Sequence, residues 1–158
     1  MVKIRNIKDL LTEAPLFDGM ADHYLELLAG CGRLAHFKAG EFLLKEGEEA
    51  NSFYLIRRGE VAIESHTPGG RPLTVAKVGT LGIVGYSWLF PPYRNQFDSC
   101  AVTSVDAVHL DGKCLRGKAE SDHELGYQFI KRFAAIMIRR MQDARRQMLD
   151  IYGNEKAS

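Results

Sequence analysis

The chain has 158 residues, of which 46% are hydrophobic and 26% charged, and its formal net charge at pH 7 is +1. These values are typical of one globular domain with a buried core and exclude a disordered chain. The charge balance excludes a general electrostatic attraction to nucleic acid or to an anionic membrane. No apolar run approaches the roughly 18–20 residues that span a bilayer, and the N-terminus lacks the pattern of a signal peptide.

The cysteines and histidines argue against a disulfide framework and against a metal site. Cys31, Cys100 and Cys114 are widely spaced, and the five histidines show neither His-x-His nor His-x-x-x-His spacing. This usage predicts a reducing compartment, and therefore a cytoplasmic protein with no bound metal. No nucleophile motif, Walker loop or dinucleotide-binding fingerprint occurs, so we expect no catalytic residues and no enzyme activity.

The order of the predicted elements is helix, then strand, then helix. Residues 1–32 predict short helices, because apolar residues recur there at helical spacing. Over residues 33–111, apolar residues alternate in short runs broken by glycines, which is typical of a jelly-roll β-sandwich or barrel. Residues 112–152 return to a helical period, and 153–158 are expected to form a disordered tail. We therefore predict one mainly β domain over residues 1–152, with short N-terminal helices and a long C-terminal helix.

The long C-terminal helix carries an unbroken heptad seam of apolar residues. Its members are Tyr127, Ile130, Ala134, Met137, Met141, Ala144, Met148 and Ile151. A second apolar face, Phe129, Phe133 and Ile136, is confined to the first half of the helix, and Ser121 with Glu124 forms a capping-box pattern at its start. At 1.5 Å per residue the seam is about 36 Å long, too long for this domain to cover alone. We therefore expect a parallel homodimer; the alternative is that the seam packs on the protein's own N-terminal helices.

The segment from Gly79 to Val102 has the outline of an anion-binding turn between two strands. Together with glycines at positions 40, 47, 59, 79 and 85 and the segment Tyr54-Leu-Ile-Arg-Arg-Gly-Glu-Val61, it resembles the cyclic-nucleotide-binding domain family, over roughly residues 8–150. That family includes catabolite-type regulators, kinase regulatory subunits and gated channels. The resemblance implies a jelly-roll sensor domain with a phosphate-binding cassette between two strands and a dimerising helix after it.

The resemblance also implies which cassette positions should contact a cyclic nucleotide. In the family a glutamate meets the ribose hydroxyl and an arginine meets the cyclic phosphate, but here these positions hold Tyr86 and Cys100, while Gly85 and Ala101 are kept. Each hydrogen bond to a charged group contributes about 1.5–3 kcal/mol. Losing two moves a micromolar site to about 0.1–10 mM or weaker. The hydroxyl pair by which regulators reach the purine is also missing, at positions 144 and 145. We expect no ordinary binding of cyclic AMP.

The candidate ligand-binding residues are Gly85, Tyr86, Ser87, Trp88, Arg94, Ser99, Cys100 and Ala101. Arg94, the only cationic side chain within the cassette, either replaces the missing arginine or stays in solvent. Tyr86 and Trp88 either stack on a planar ligand or fill a collapsed pocket. Cys100 is either a reactive thiol or an ordinary buried cysteine. No cofactor is certain, and these residues suit a nucleotide-like or other small anionic or aromatic ligand.

The sequence thus predicts a non-enzymatic, dimeric sensor domain with an altered pocket, which signals through its C-terminal helix to an unknown protein partner. Two alternatives stay open: a ligand-free interaction dimer, and the sensor half of a transcriptional regulator that acts with a separate DNA-binding partner. Asp143 and Asp150 follow Arg139 and Arg146 by four residues, so the basic helix predicts a solvated coiled-coil face rather than a nucleic-acid patch. We expect no direct nucleic-acid or membrane partner.

Overall fold

The computed structural model describes residues 6–157, with side chains described up to Asn154. In this part of the chain, two antiparallel four-stranded sheets are flanked by four α-helices. The helices are α1 (Ile7–Thr12), α2 (Asp22–Gly30), α3 (Gly112–Ser121) and α4 (His123–Ala157), and a 3-10 turn covers Pro15–Phe17. The strands are β1 (Gly32–Phe37), β2 (Phe42–Leu44), β3 (Ser52–Arg58), β4 (Val61–His66), β5 (Pro72–Val78), β6 (Ile83–Val84), β7 (Asp98–Ala101) and β8 (Val105–Asp111).

The strand order confirms the predicted jelly-roll fold with flanking helices. One sheet has the order β1-β8-β3-β6 and the other β2-β7-β4-β5, so neighbouring strands often come from distant parts of the chain. Gly59 joins β3 to β4 at a φ of +97°, and a Cβ there would lie 2.3 Å from the carbonyl oxygen of Ser104. Only glycine fits this turn, which brings β4 back across the sandwich.

Two separate apolar cores lie on opposite faces of the β1-β8-β3 sheet. The first fills the sandwich between the two sheets and includes Ile56, Val61 and Ile63. The second lies between the outer face of this sheet and the helices, and includes Phe53 and Trp88 with the helical residues Leu115, Phe129 and Phe133. The cassette therefore reaches the helical core through its tryptophan.

Helix α4 begins and ends at places that differ from the predictions. The Asp122 carboxylate accepts the backbone N–H groups of Glu124 (3.1 Å) and Leu125 (3.3 Å), whereas Ser121, the predicted cap, is the last residue of α3. At its other end α4 runs to Ala157, where we expected a disordered tail from residue 153. A glycine inside a helix costs only about 1 kcal/mol, which Gly153 imposes without stopping the helix. The second apolar face, formed by Phe129 and its neighbours, packs on the domain.

Candidate functional site

The cassette begins where β6 ends, at a glycine whose side-chain position is already occupied by neighbours. Gly85 has a φ of +100°, and a Cβ there would lie 3.0 Å from Leu44 Cδ1 and 3.1 Å from the carbonyl oxygen of Ser52. Both the positive φ and the close packing require glycine. The chain can therefore turn sharply into the cassette against β2 and β3.

A cavity of about 20 Å³ lies between this turn and the inner face of the other sheet. Its wall is formed by Leu44, Ile63, Gly85, Tyr86, Ser87, Asn95, Gln96, Phe97, Ser99 and Arg140. Small-molecule sites usually have volumes of about 300–1,000 Å³. A space of 20 Å³ is close to the volume that a single water molecule needs. The cassette pocket is thus closed to a nucleotide in this conformation.

The cation in the cavity wall comes from α4 and not from the cassette. Arg140 donates a hydrogen bond of 2.9 Å from Nη2 to the carbonyl oxygen of Ile83, and its guanidinium carbon lies 5.9 Å from the centre of the Tyr86 ring. Burial lowers the pKa of Arg140 below its ordinary value. Among the residues with described side chains, no carboxylate lies within ion-pair distance of it. Arg140 is therefore a half-buried cation whose main partner is one backbone carbonyl.

The sequence reading missed Arg140, although a signal for it was present. It follows Phe129, Phe133 and Ile136 at spacings of four, three and four residues, so it lies on the same face of α4 as the buried aromatic residues. Its charge alone predicts a solvated position like that of the other basic residues of the helix, and this prediction is wrong for Arg140. A charged residue that continues a core face is a candidate for the wall of a site.

Tyr86 occupies the position where the resemblance implies a glutamate. Burial raises the pKa of its phenol, and the nearby Arg140 opposes that rise without reversing it. The phenol therefore stays neutral at physiological pH. It contributes a ring and a hydroxyl to the cavity wall, where a carboxylate would have supplied a charged acceptor for a ribose hydroxyl.

Ser99 and Cys100, two neighbours on β7, point to opposite faces of their sheet. Ser99 pairs with Ile63 of β4 and lies in the cavity wall, whereas Cys100 lies on the outer face. Burial first, and then the carboxylates of Glu64 and Asp98, raise the pKa of the Cys100 thiol. The thiol thus neither faces the cavity nor has the surroundings of a reactive cysteine.

Trp88 and Arg94 also lie away from the cavity. Trp88 is fully buried in the helical core, stacked 4.9 Å from Phe53 and edge-on to Phe129 and Phe133 at 5.4 and 5.2 Å. Arg94 is exposed on the cassette surface. The cavity wall thus brings together Gly85, Tyr86, Ser87 and Ser99, with Ala101 buried in the adjoining sandwich core. Trp88 packs the cassette against the helical core, on the side away from the cavity.

A second arginine that the sequence reading did not select fixes the middle of the cassette. Arg116 of α3 donates hydrogen bonds to the carbonyl oxygens of Trp88 and Ala50, the latter at 3.4 Å. Its guanidinium carbon lies 4.1 Å from the centre of the Tyr93 ring. One side chain therefore joins α3 to both ends of the cassette's central turn and to the segment before β3. No sequence pattern around Arg116 signals this role.

A larger groove of about 720 Å³ lies on the opposite side of Arg140, between α4 and residues 76–83. Lys131, Arg132 and Arg139 line it, but the guanidinium of Arg132 is already bound to the carbonyl oxygens of Leu16 (2.7 Å) and Asp18 (2.8 Å). The groove is open to solvent and lies outside the cassette. Arg140 is the side chain that separates it from the closed cavity.

Residues 6–157 contain neither a candidate metal site nor a helix suited to crossing a membrane. No group of histidine, cysteine and carboxylate side chains in this region could hold a metal ion. None of its helices combines the length and the apolar character that crossing a membrane requires.

The family model of the cyclic nucleotide-binding domain matches residues 34–122, which is more than half of the chain. The chain belongs to the cyclic nucleotide-binding domain family. The matched range begins in β1 and ends just after α3, and it contains the whole cassette. Members of this family are regulatory sensor domains, in agreement with the predicted class of function. The predicted resemblance to the family is confirmed.

Three known proteins, one compared by sequence and two by structure, are similar to this chain. Over 143 residues the chain is 24% identical to a CRP-like cAMP-activated global transcriptional regulator of Mycobacterium tuberculosis; this alignment covers 90% of the chain and 62% of the regulator. A solved structure of a putative cyclic nucleotide-binding protein from Geobacter metallireducens has a TM-score of 0.77 and 25% identity, covering 87% of this chain and 99% of that one. The regulatory subunit of a cAMP-independent protein kinase A from Trypanosoma brucei shares the fold, with a TM-score of 0.67 and 19% identity over 90% of this chain and 49% of that one. The chain thus spans less than two thirds of the curated regulator it matches.

Proposed function

We propose that this chain is a non-enzymatic, dimeric regulatory domain whose altered cassette pocket binds cyclic nucleotides weakly and which signals through α4. One observation carries the proposal: two adjacent residues of α4 serve the pocket and the seam. Arg140 forms part of the cavity wall, and Met141 lies on the exposed apolar seam with 65% of its surface accessible. A change at the pocket that moves α4 therefore also moves the seam.

The small size of the cavity couples ligand binding to a movement of α4. A nucleotide needs several hundred cubic ångströms, so its entry into a space of about 20 Å³ requires Arg140 and Tyr86 to move apart. Arg140 would then release the carbonyl oxygen of Ile83. Because Arg140 is fixed to a long helix, ligand binding favours a different position of α4 relative to the cassette. A ligand that binds only the open form shifts the population toward it.

The exposed apolar seam of α4 is the surface through which a movement of the helix reaches a partner. Five of its side chains are more than half exposed: Tyr127, Ile130, Met141, Met148 and Ile151. Ala134 and Met137 are half-buried, Ala144 is exposed, and the large apolar residues Ile138, Leu149 and Tyr152 widen the exposed surface. Soluble monomers rarely expose a continuous apolar surface of this length. A second copy of the same helix, packed in parallel, offers a matching cover.

The cation in the pocket suggests the class of ligand. Among the described side chains no carboxylate forms an ion pair with Arg140, although Asp143 lies near enough to favour its charged form. An anionic group of a ligand can therefore pair with it through the planar fork of the guanidinium. A phosphate or a carboxylate on a small planar molecule fits this chemistry. Neither of the two charged contacts that the resemblance implies is supplied at these positions, because Tyr86 is neutral and Cys100 faces away from the cavity, and we therefore place cyclic AMP among weak ligands.

Calorimetric titration with cyclic AMP and cyclic GMP tests the pocket. We expect wild-type dissociation constants of about 0.1–10 mM. Arg140→Met keeps most of the apolar length but removes the charge, and should weaken binding about 10- to 100-fold. The control Arg94→Met changes the exposed cassette arginine and should leave binding unchanged. A micromolar constant would contradict the altered pocket. No binding at 10 mM would instead support the ligand-free interaction dimer, a second candidate that the 20 Å³ cavity also favours.

Sedimentation tests the dimer. The wild-type chain should sediment as a dimer, and Met141→Glu should give a monomer with an unchanged circular dichroism spectrum, because it places a charge in the seam. Gln142→Glu adds the same charge to an exposed position beside the seam and should remain dimeric. Equal masses for all three proteins would contradict the dimer through α4.

A further inference from the structure

Two thiols lie side by side where the end of α2 meets the start of α3, outside the residues that line the cassette cavity. The sulfur atoms of Cys31 and Cys114 are 3.2 Å apart although the residues are separated by 83 positions in the chain. Cys114 is exposed and Cys31 is half-buried. We propose that these two residues form a reversible intramolecular disulfide, a redox modification site that ties the end of α2 to the start of α3.

The backbone holds both thiols in place. Cys31 closes α2 by donating its N–H to the carbonyl oxygen of Leu28 at 2.9 Å, and its own carbonyl accepts the N–H of Asp111 at 2.9 Å. Cys114 lies in the first turn of α3, where its N–H donates to the Asp111 carboxylate at 3.0 Å. Asp111 therefore fixes both cysteines. Bond formation needs a closing motion of only about 1 Å, since a disulfide bond is about 2.05 Å long.

The different surroundings of the two sulfurs assign their roles. Cys114 is open to solvent and meets an oxidant first. Burial, assisted by the neighbouring Cys114 thiol, raises the pKa of Cys31 to about 11, so Cys31 stays protonated until the second step. The pair thus consists of an accessible attacking thiol and a protected resolving thiol, the arrangement that redox-sensitive cysteines use.

With hydrogen peroxide as the oxidant, the chemistry balances in two steps. The Cys114 thiolate attacks one peroxide oxygen and forms a sulfenic acid, and the departing hydroxide takes up a proton to become water. The Cys31 sulfur then attacks the Cys114 sulfur and loses its proton, while the sulfenic hydroxyl leaves as a second water. Two thiols are oxidised to one disulfide and one peroxide is reduced to two waters. A dithiol reductant reverses the bond.

The position of the pair gives the modification a structural effect. Leu115, next to Cys114, is fully buried, and Arg116 binds the cassette. A disulfide at Cys114 therefore braces the helical turn that holds the cassette. In the reducing compartment that the sequence predicts, such a bond is formed transiently and not as a permanent support. The proposal does not depend on nucleotide binding.

Thiol titration of the full chain in denaturant, before and after exposure to hydrogen peroxide, tests the proposal. The accessible thiols should fall from three to one per chain, and intact-mass analysis should show the loss of two hydrogen atoms without a link between chains. Peptide mapping should place the bond between Cys31 and Cys114, and dithiothreitol should restore all thiols. The melting temperature of the oxidised protein should rise by about 5–15 °C.

Three cysteine variants make the assignment specific. Cys100→Ser should still lose both remaining thiols, because Cys100 lies on β7 and not beside the pair at α2 and α3. Cys114→Ser should lose the pairing completely, and so should Cys31→Ser or, if serine disturbs the half-buried site, Cys31→Ala. The proposal is overturned if the wild-type chain keeps its three thiols, if Cys114 links two chains instead, or if both Cys31 variants oxidise like the wild type.

Discussion

Arg116 offers the sharpest test of how the cassette is held. Truncation to alanine removes its hydrogen bond to the Trp88 carbonyl, a longer one to Ala50 and the contact of its guanidinium with the Tyr93 ring. We assign about 1.5–3 kcal/mol to the first bond, about 1 kcal/mol to the second and about 0.5–1 kcal/mol to the ring contact. Since Trp88 and Ala50 are fully buried, water cannot fully replace the lost donors. Arg116→Ala should therefore lower the free energy of unfolding by about 3–5 kcal/mol.

Urea denaturation, followed by circular dichroism and by the fluorescence of Trp88, measures this difference. The midpoint should fall while the m-value stays constant, because the same surface is exposed on unfolding. Arg94→Ala is the matched control, since Arg94 is exposed on the same cassette; its effect should stay within about 0.5 kcal/mol. Arg116→Lys should recover only part of the loss, because an ammonium group lacks the planar fork. Equal effects of the two alanine variants would refute the role given to Arg116.

The remaining predictions concern packing, face assignment and pH. Ser99→Arg should destabilise the fold by about 2 kcal/mol or more, because it forces a charge into a closed cavity, whereas Cys100→Arg points outward beside two carboxylates and should cost less than about 1 kcal/mol; thermal denaturation of both variants distinguishes the two faces of β7. Gly112→Ala should be destabilising by about 1–2 kcal/mol, because its Cβ would lie 2.8 Å from the Cβ of the buried tryptophan. Gly117→Ala in the same helix meets no atom within 4 Å and should stabilise by about 0.5–1 kcal/mol, as chemical denaturation can check. Burial lowers the pKa of His109, so the unfolded chain binds a proton more readily and stability falls as the pH drops below about 6.5. His109→Gln should flatten that part of the stability–pH curve, and a curve identical to that of the wild type would contradict the assignment.

The sequence predicted the elements whose signal is periodic. Alternating apolar runs between glycines identified the sandwich, and the series Phe129, Phe133 and Ile136 identified the buried face of α4. Each pattern works because one face of a strand or a helix must leave water. The start of α4 was predicted less well, because Ser121 and Asp122 are adjacent and both suit a helix cap. Only the actual length of α3 decides between them.

The cassette lacks such periodicity, and this explains what was missed. Residues 85–97 form no helix or strand, so neither the helical period nor the alternation of a strand predicts which way a side chain points. The choice between Ser99 and Cys100 depends on the pairing of β7 with β4, which the sequence does not contain. Trp88 was equally compatible with a ligand and with a core, and its burial requires Phe53 and Phe133, distant in the chain. Long-range pairing thus decided each of these positions.

Strand β3 separates the two cores, and its side chains serve them alternately. Phe53 and Leu55 belong to the helical core, while Tyr54 and Ile56 belong to the sandwich core. Each core is closed by its own set of residues, and the cassette contacts both, because Trp88 packs in the helical core and Phe97 packs against the sandwich core. The cassette is therefore anchored on both sides of β3, so a shift of that one strand would disturb both of its attachments.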